Sequence, residues 1–258
     1  MSTDSRQATL ERTDGILAVT FRRDDKLNAI SPEMTDTLWR AAEQLASDDD
    51  AKVLVIAAEG RYFTAGIDLR SPQPGTVAKD GTDFRRLYRR HHLLYDELEA
   101  IEKPIILAAQ GNCLGAGLEM ACSCDFRFAA AGVAFGLPEV KLGVIAGSGG
   151  TSRLTRLVGP HWAKWIAMAG RQVDAEEALR IGLVHGVFPA ADLAAEVHRF
   201  AVELAELPGQ AVGAAKLAVD LSAEIGRGAG RDVERLANTH LCLTGAFREG
   251  VEDFDRRD

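Results

Sequence analysis

The alternation of apolar and polar side chains predicts how the first part of the chain folds. Residues 7–12 and 16–22 alternate on either side of Asp14-Gly15, a pattern typical of a β-hairpin. Residues 32–46 follow a helical period instead, and a serine and a proline stand at the expected N-terminus of that helix. We therefore expect a strand pair followed by a helix.

Continuous apolar runs predict two strands buried on both faces, at 53–58 and 104–109. Each is followed by a loop and then by small residues, and we expect a helical turn over 65–69 and a helix over 116–123. A long amphipathic helix at 82–101 separates the two groups, and short strands are predicted at 125–130 and 133–135. The repeated order of strand, loop and helix indicates an α/β architecture with crossover connections.

The pattern changes near residue 195, which predicts two parts, 1–195 and 196–258. We expect the second part, which is helical and modest in size, to be stable only when it packs on the core or on another subunit. The helices predicted beyond residue 147 lie at 148–157, 161–169, 174–181, 190–206, 209–225, 228–241 and 245–255, with a short strand at 184–188.

Length and charge limit the class of function. The 258 residues are 47% apolar, enough for a substantial core, and 30 basic against 38 acidic side chains give a net charge of −8. No global positive field attracts nucleic acid or an anionic membrane. The N-terminus shows neither a secretion nor a transit signal, and the apolar runs are too short to span a bilayer. We expect a cytoplasmic protein with no nucleic-acid or membrane partner.

Two glutamates, Glu119 and Glu139, lie in apolar stretches, where an ionised carboxylate is costly. Ala116 follows a glycine-rich turn, so we expect its N–H in the first turn of a helix, with no intrahelical partner. Glu119 projects from the same face three residues on. Ala65-Gly66 offers a second such N–H. The sequence thus predicts two donors and two carboxylates around one space, which suits enolate stabilisation and acid/base chemistry.

Each of these features, taken singly, also has a plain structural explanation. Either glycine-rich bend serves equally well as a tight turn, and a carboxylate after Pro138 is favoured at the start of a helix. For Asp68 we expect a helix-capping role rather than a catalytic one. The combination of two such bends with two carboxylates in apolar stretches points to an active site more specifically than any one of these features does.

The residues at the positions that other known motifs require exclude several other kinds of site. Met120 stands where a dinucleotide-binding loop needs its last glycine, and Ala146 stands where a nucleophile elbow needs a glycine two residues before Ser148. Cys122 and Cys124 lack the second pair of a zinc site. We therefore expect no metal site.

With these residues in place, the sequence resembles the enoyl-CoA hydratase/isomerase family, also called the crotonase superfamily, over nearly its whole length. The segments that carry the resemblance are Lys26-Leu27-Asn28-Ala29, Phe63-Thr64-Ala65-Gly66-Ile67-Asp68-Leu69, Gly115-Ala116-Gly117-Leu118-Glu119, residues 135–143, Gly147-Ser148-Gly149-Gly150-Thr151 and residues 174–184. The resemblance implies a crotonase-like α/β fold, a spiral of repeated β-β-α units with a C-terminal helical segment.

The resemblance also implies a chemistry. In the hydratases of the family, two glutamates at the positions of Glu119 and Glu139 add one water across the C2=C3 bond of an acyl-CoA thioester, a step of fatty acid β-oxidation. The backbone N–H groups of Ala65 and Ala116 are implied to hold the carbonyl oxygen, and Gly147 to help hold the water. Two carboxyl groups suffice for this step, so no cofactor is expected beyond the coenzyme A of the substrate.

Three further expectations rest on the resemblance. Coenzyme A contacts are implied for Lys26, Leu27, Ala29, Ala65, Gly66, Ile67, Asp68 and Leu69. Residues 196–258 are implied to close the acyl pocket and to form the contacts of a homotrimer or homohexamer. Two alternatives stay open beside hydration: isomerisation of an enoyl-CoA or dienoyl-CoA on the same fold, and acyl-CoA binding without catalysis.

Overall fold

The structure is a computed structural model that describes residues 7–71 and 77–256. The N-terminal residues on which the predicted cytoplasmic location rests lie largely outside this range. Two compact units form, one up to Leu204 and one from Ala205 onward. The predicted boundary at 195 falls inside a helix that buries Leu193, Val197 and Ala201, so the first unit continues to the end of that helix.

The larger sheet of the first unit contains six strands in the order β1-β2-β3-β5-β7-β10 within the described residues. The predicted hairpin is confirmed as the antiparallel pair β1 and β2, and the remaining strands run parallel to β2. Both predicted buried strands lie at its centre. The strands are β1 Ala8–Thr13, β2 Ile16–Phe21, β3 Val53–Ala58, β5 Ile105–Ala109, β7 Phe126–Ala130 and β10 Gly186–Phe188.

A smaller sheet has the order β4-β6-β8-β9, and β4, β6 and β8 run parallel. The strands are β4 Tyr62–Thr64, β6 Asn112–Leu114, β8 Ala134–Gly136 and the antiparallel β9 Gln172–Asp174. The sequence predicts β8 but not β4, β6 or β9. Since parallel neighbours end at the same edge of a sheet, the segments that follow β4, β6 and β8 lie side by side.

Most helices of the first unit agree with the predicted ones apart from their ends, but the helices predicted at 148–157 and 161–169 form one segment that is kinked at Gly159 and continues into a π-helical segment. The helices are α1 Pro32–Ser47, α2 Gly81–Ala100, α3 Ala116–Cys122, α4 Gly150–Ala163, α5 Ala175–Arg180 and α6 Leu193–Ala205, joined by 3-10 turns at Asp24–Lys26 and Pro138–Leu142 and by a π-helical segment at Lys164–Met168. Ser31 caps α1 as predicted, since its Oγ accepts a hydrogen bond from Met34 N at 3.3 Å.

The helical turn predicted over 65–69 is wrong. Ile67 pairs with Ile30 as an isolated parallel bridge, because Ile30 N donates to Gly66 O at 2.8 Å and Asp68 N donates to Ile30 O at 3.0 Å. A tight turn follows at Leu69 and Arg70. Extended pairing with residue 30, distant in sequence, replaces the local helix that the small residues favour.

The second unit consists of the helices α7 Gly209–Ser222, α8 Arg227–Leu241 and α9 Gly245–Asp255, which confirm the three helices predicted there. Large apolar side chains remain exposed on it, among them Leu236 (74% exposed) and Leu243 (72%). No helix in the described part of the chain combines the length and apolar character needed to cross a membrane.

Candidate active site

The ends of three parallel strands bring the predicted site residues together. Residues 65–67 follow β4, Gly115 and α3 follow β6, and Glu139 follows β8. A Cβ at Gly66 would lie 3.6 Å from Ala116 N, and a Cβ at Gly115 would lie 2.9 Å from Glu139 Oε1. The three segments therefore touch through their glycines, and their polar groups share one space.

Glu119 lies in the first turn of α3 and is 3% exposed. Its Oε1 accepts hydrogen bonds from Ser148 N at 2.7 Å and from Gly150 N at 3.3 Å. Burial raises the pKa of Glu119 to about 7; the Ser148 N–H opposes that rise, and the nearby Glu139 adds to it. The carboxyl group therefore changes protonation state near neutral pH, as a general acid or base must.

Glu139 lies in the 3-10 turn after β8 and is half-buried. Its Oε2 is buried and has no hydrogen-bond partner among the described residues. Burial raises the pKa of this carboxyl group as well. A buried carboxylate oxygen without a donor is rare in folded proteins and points to a chemical rather than a structural role.

The backbone donors differ from the predicted pair. Ala116 is the first residue of α3, where an N–H has no intrahelical partner, as expected. Ala65 N, however, donates to Leu27 O at 3.0 Å, so it is not free to hold a substrate oxygen. Within the described residues, Ile67 N–H makes no such bond and lies one residue beyond Gly66, which adjoins Ala116. We therefore replace Ala65 by Ile67 as the second donor.

The residues predicted to contact coenzyme A lie on two chain segments that hydrogen bonds join to one another. Thr64 Oγ1 donates to Asn28 O at 2.7 Å, and the Ala65–Leu27 and Ile30–Gly66 bonds continue the seam. Lys26 and Leu69 are exposed at its outer side. The segments 26–29 and 65–69 thus share one surface beside the two donors, and their coenzyme A contacts stay a prediction.

Asp68 has a structural role in this seam. Its Oδ2 accepts from Arg23 Nη1 at 2.7 Å and from Ser71 Oγ at 2.9 Å, and its Oδ1 accepts from Arg70 N at 3.0 Å. Burial by itself raises the pKa of Asp68, but these hydrogen bonds outweigh it and bring the pKa to about 2. The carboxylate caps a turn instead of the predicted helix, and its oxygens are occupied.

Known proteins show the same sequence pattern along most of the chain. The family model described as enoyl-CoA hydratase/isomerase matches residues 11–258. The chain belongs to the enoyl-CoA hydratase/isomerase family. Its similarity to the 2,3-dehydroadipyl-CoA hydratase of Escherichia coli is 35% identity, covering 95% of this chain and 94% of that protein. The crotonyl-CoA hydratase of Syntrophomonas wolfei is also 35% identical, with 95% and 93% covered.

Solved structures agree on the fold. The crystal structure of an enoyl-CoA hydratase from Bacillus anthracis superimposes with a TM-score of 0.90 at 28% identity, covering 97% of this chain and 96% of that one. The predicted crotonase-like architecture is thereby confirmed for this member of the hydratase/isomerase family.

Around the two glutamates of this family member lie residues to which the sequence analysis gave no role. Ser148 and Gly150 hold Glu119, and both fall in a glycine-rich segment that the resemblance included. Tyr88 of α2 places its hydroxyl 2.7 Å from Ser148 Oγ. Gly147 is exposed directly before Ser148, and its water-positioning role stays a prediction. No sequence signal marks Tyr88, since one tyrosine on an amphipathic helix is unremarkable.

Proposed function

We propose that this protein is an enoyl-CoA hydratase, a hydro-lyase that adds water to the C2=C3 bond of a 2-enoyl-CoA thioester. The observation that carries the proposal is the pairing of a buried carboxyl group, Glu119, with a half-buried one, Glu139, beside two backbone N–H groups that make no hydrogen bond within the described residues. The names of the most similar relatives, which include a crotonyl-CoA hydratase, support it.

The geometry suits the reaction step by step. The N–H groups of Ile67 and Ala116 hold the thioester oxygen, on which negative charge develops as the enolate forms; one such donor is worth ~10²–10³ in rate. The ionised member of the glutamate pair takes a proton from water as the water oxygen bonds to C3. The protonated member then gives a proton to C2, which completes the addition.

The chemistry needs no group beyond these carboxyls and donors, so we propose that hydration proceeds without an added cofactor. Within the described residues, no cluster of three or more His, Cys, Asp or Glu side chains is arranged to hold a metal ion. Prolonged treatment with a chelator should leave the rate unchanged, and a loss restored by one metal ion would overturn this part of the proposal.

The test of the main proposal is direct. Purified protein is mixed with crotonyl-CoA and with longer 2-enoyl-CoA thioesters, and loss of the conjugated-enoyl absorbance is followed. Hydration of at least one chain length is expected. Deuterium entering the acyl chain from D₂O without net addition of water would identify isomerase chemistry, and tight binding without turnover would identify a non-catalytic acyl-CoA-binding protein.

We further propose that the protein assembles as a homotrimer or homohexamer. The second unit exposes several large apolar side chains, and their burial between subunits would remove apolar surface from water, which supports an interface there. Light scattering on the peak that elutes from a size-exclusion column should give three or six times the mass of the 27.8 kDa chain. A peak with the mass of one chain would refute the proposed assembly and leave the proposed hydratase activity unaffected. The predicted cytoplasmic location likewise stays a proposal.

A further inference from the structure

The hydroxyl group of Tyr88 reaches into the site from α2. It lies 2.7 Å from Ser148 Oγ, which donates to it, and a Cβ at Gly147 would be 3.7 Å away. The ring packs between two neighbours on the same helix, with its centroid 5.1 Å from that of Phe84 and 4.3 Å from that of His92. The aromatic contacts fix the direction of the ring, and the ring fixes the place of the hydroxyl.

Ser148 connects this hydroxyl to Glu119. Its side chain is fully buried, its N–H donates to Glu119 Oε1 at 2.7 Å, and its carbonyl oxygen accepts from Arg153 Nη1 at 3.3 Å. Arg153 in turn is ion-paired to Asp96 of α2 at 2.6 Å. Ser148, whose N–H holds Glu119, is therefore tied to α2 directly through its side chain and, by way of Arg153, through its carbonyl oxygen.

We propose that Tyr88 is a positioning residue for Glu119, acting through Ser148. The Tyr88–Ser148 hydrogen bond holds the Ser148 peptide in the orientation that aims its N–H at the Glu119 carboxylate. The kinetic consequence of this assignment rests on the proposed hydratase function, whereas its effect on the titration of Glu119 does not. No reacting atom is required to touch Tyr88.

The hydroxyl of Tyr88 stays neutral over the working range of pH. Burial raises its pKa to about 12, as do the charges of Glu119 and Glu139, while the bond from Ser148 opposes them. The ionisable groups that act on Glu119 come from each element packed around it: Glu139, Arg153, Tyr88, Tyr95 and, on its own helix, Cys122.

Of these groups, only Glu139 is a second carboxyl with a raised pKa. Burial raises the pKa of Tyr95, Cys122 and Tyr88 far above neutrality, and Arg153 stays charged because Glu99 and Asp96 hold it. Since Tyr88 itself keeps one charge state, its effect on Glu119 passes through the geometry of the Ser148 N–H.

The experiment titrates Glu119 directly in the intact protein. Protein labelled with ¹³C at the glutamate side-chain carboxyl is followed by NMR over pH, and the Glu119→Gln variant assigns the signal. A hydrogen bond to a carboxylate lowers its pKa, so Tyr88→Phe and Ser148→Ala should each raise the pKa of Glu119 by about 0.5 unit or more. In the double variant the pKa of Glu119 should shift no further than in either single variant, because both substitutions remove the same Tyr88–Ser148 hydrogen bond.

Tyr62→Phe is the matched control. It also removes a phenol hydroxyl, from the strand β4, and among the described residues that hydroxyl makes no hydrogen bond to the 146–150 loop. It should leave the Glu119 titration unchanged. Circular dichroism and the melting temperature check that each variant is folded.

Kinetics supply a second readout. If the protein hydrates crotonyl-CoA, the limb of the kcat/KM profile that follows the titration of Glu119 should move to higher pH in Tyr88→Phe and Ser148→Ala by the same amount as the NMR pKa. An unchanged Glu119 pKa in Tyr88→Phe, or shifts that add in the double variant, would overturn the proposal. Absence of hydration by the wild type would refute the function alone, because the NMR titration needs no substrate.

Discussion

The carboxylate of Glu139 lies against the backbone of Gly115, where the missing side chain makes room for it. A Cβ at Gly115 would come 2.9 Å from Glu139 Oε1, and the residue sits at a φ of +56° directly before α3. Gly115 thus serves two needs at once, the turn that starts the helix and the approach of the second glutamate.

Gly115→Ala should therefore impair catalysis beyond its cost in stability. The added methyl group displaces the Glu139 carboxylate, and we expect kcat to fall by at least ~10-fold, since a misplacement of about 1 Å at a reacting group costs up to ~10²-fold. Gly132→Ala is the control: its φ is +81° and nothing lies within 4 Å of the new Cβ. Both variants place an alanine at positive φ, a sparsely populated backbone region for residues other than glycine, which carries strain of ~1–3 kcal/mol. Equal kcat values in the two would show that the Glu139 contact does not matter.

Each glutamate of the pair should be needed for turnover. Glu119→Gln and Glu139→Gln keep the shape of the side chain but remove the ability to exchange a proton, so each should lower kcat for hydration by at least ~10²-fold. Steady-state rates with crotonyl-CoA measure this, and Glu43→Gln, an exposed change on α1, serves as the control. Wild-type turnover in either variant would remove that glutamate from the mechanism.

The choice of Ile67 over Ala65 as a donor predicts a difference between two backbone changes. Replacing residue 67 by its α-hydroxy acid analogue turns the N–H into an ester oxygen and should lower kcat by ~10²–10³-fold. The same change at residue 65 removes only the bond to Leu27 O, and should cost ~1 kcal/mol of stability with kcat little altered. The opposite ranking of the two rates would restore Ala65 as the donor.

Stability should depend on pH through Glu119. Its pKa rises from 4.5 to about 7 on folding, so the folded protein holds this proton more tightly than the unfolded chain does. The contribution favours folding fully below pH 4.5 and is lost as pH rises through 7. Glu119→Gln should therefore gain about 2–3 kcal/mol relative to wild type between about pH 5 and pH 8.5. Urea unfolding at both pH values checks this; a pH-independent difference would contradict the buried titration.

The longer elements were predictable because their own residues specify them. The hairpin at β1 and β2 and the helix α1 contain enough residues to show a period, and the buried strands β3 and β5 contain enough to show a continuous apolar run. Strands β4, β6, β8 and β9 have three residues each, too few for a period to appear. A short apolar run marks β8 in the sequence, whereas β4, β6 and β9 form where neighbouring strands pair with them. Short strands of this kind are products of tertiary structure.

The residues of the site also divide into those that local sequence marks and those that depend on distant segments. Glu119, Glu139 and Ala116 stand out in the sequence because a carboxylate in an apolar run and an N–H after a glycine turn are local features. Which N–H after β4 is free depends on Leu27 O, which belongs to a distant segment and occupies Ala65. The contact of Tyr88 with Ser148 joins residues separated by 60 positions, and nothing near either of them announces it.

Most of the polar contacts that organise this site are made by the main chain. Ile67 and Ala116 offer N–H groups, and Ser148 and Gly150 donate theirs to Glu119. A peptide N–H donates in the same way whatever side chain its residue carries. Such a site therefore requires only the same backbone path and the same glycines. The side chains around it are then free to diverge, which accounts for relatives at only 28–35% identity that retain the same chain path. Acyl specificity can change here without rebuilding the catalytic frame.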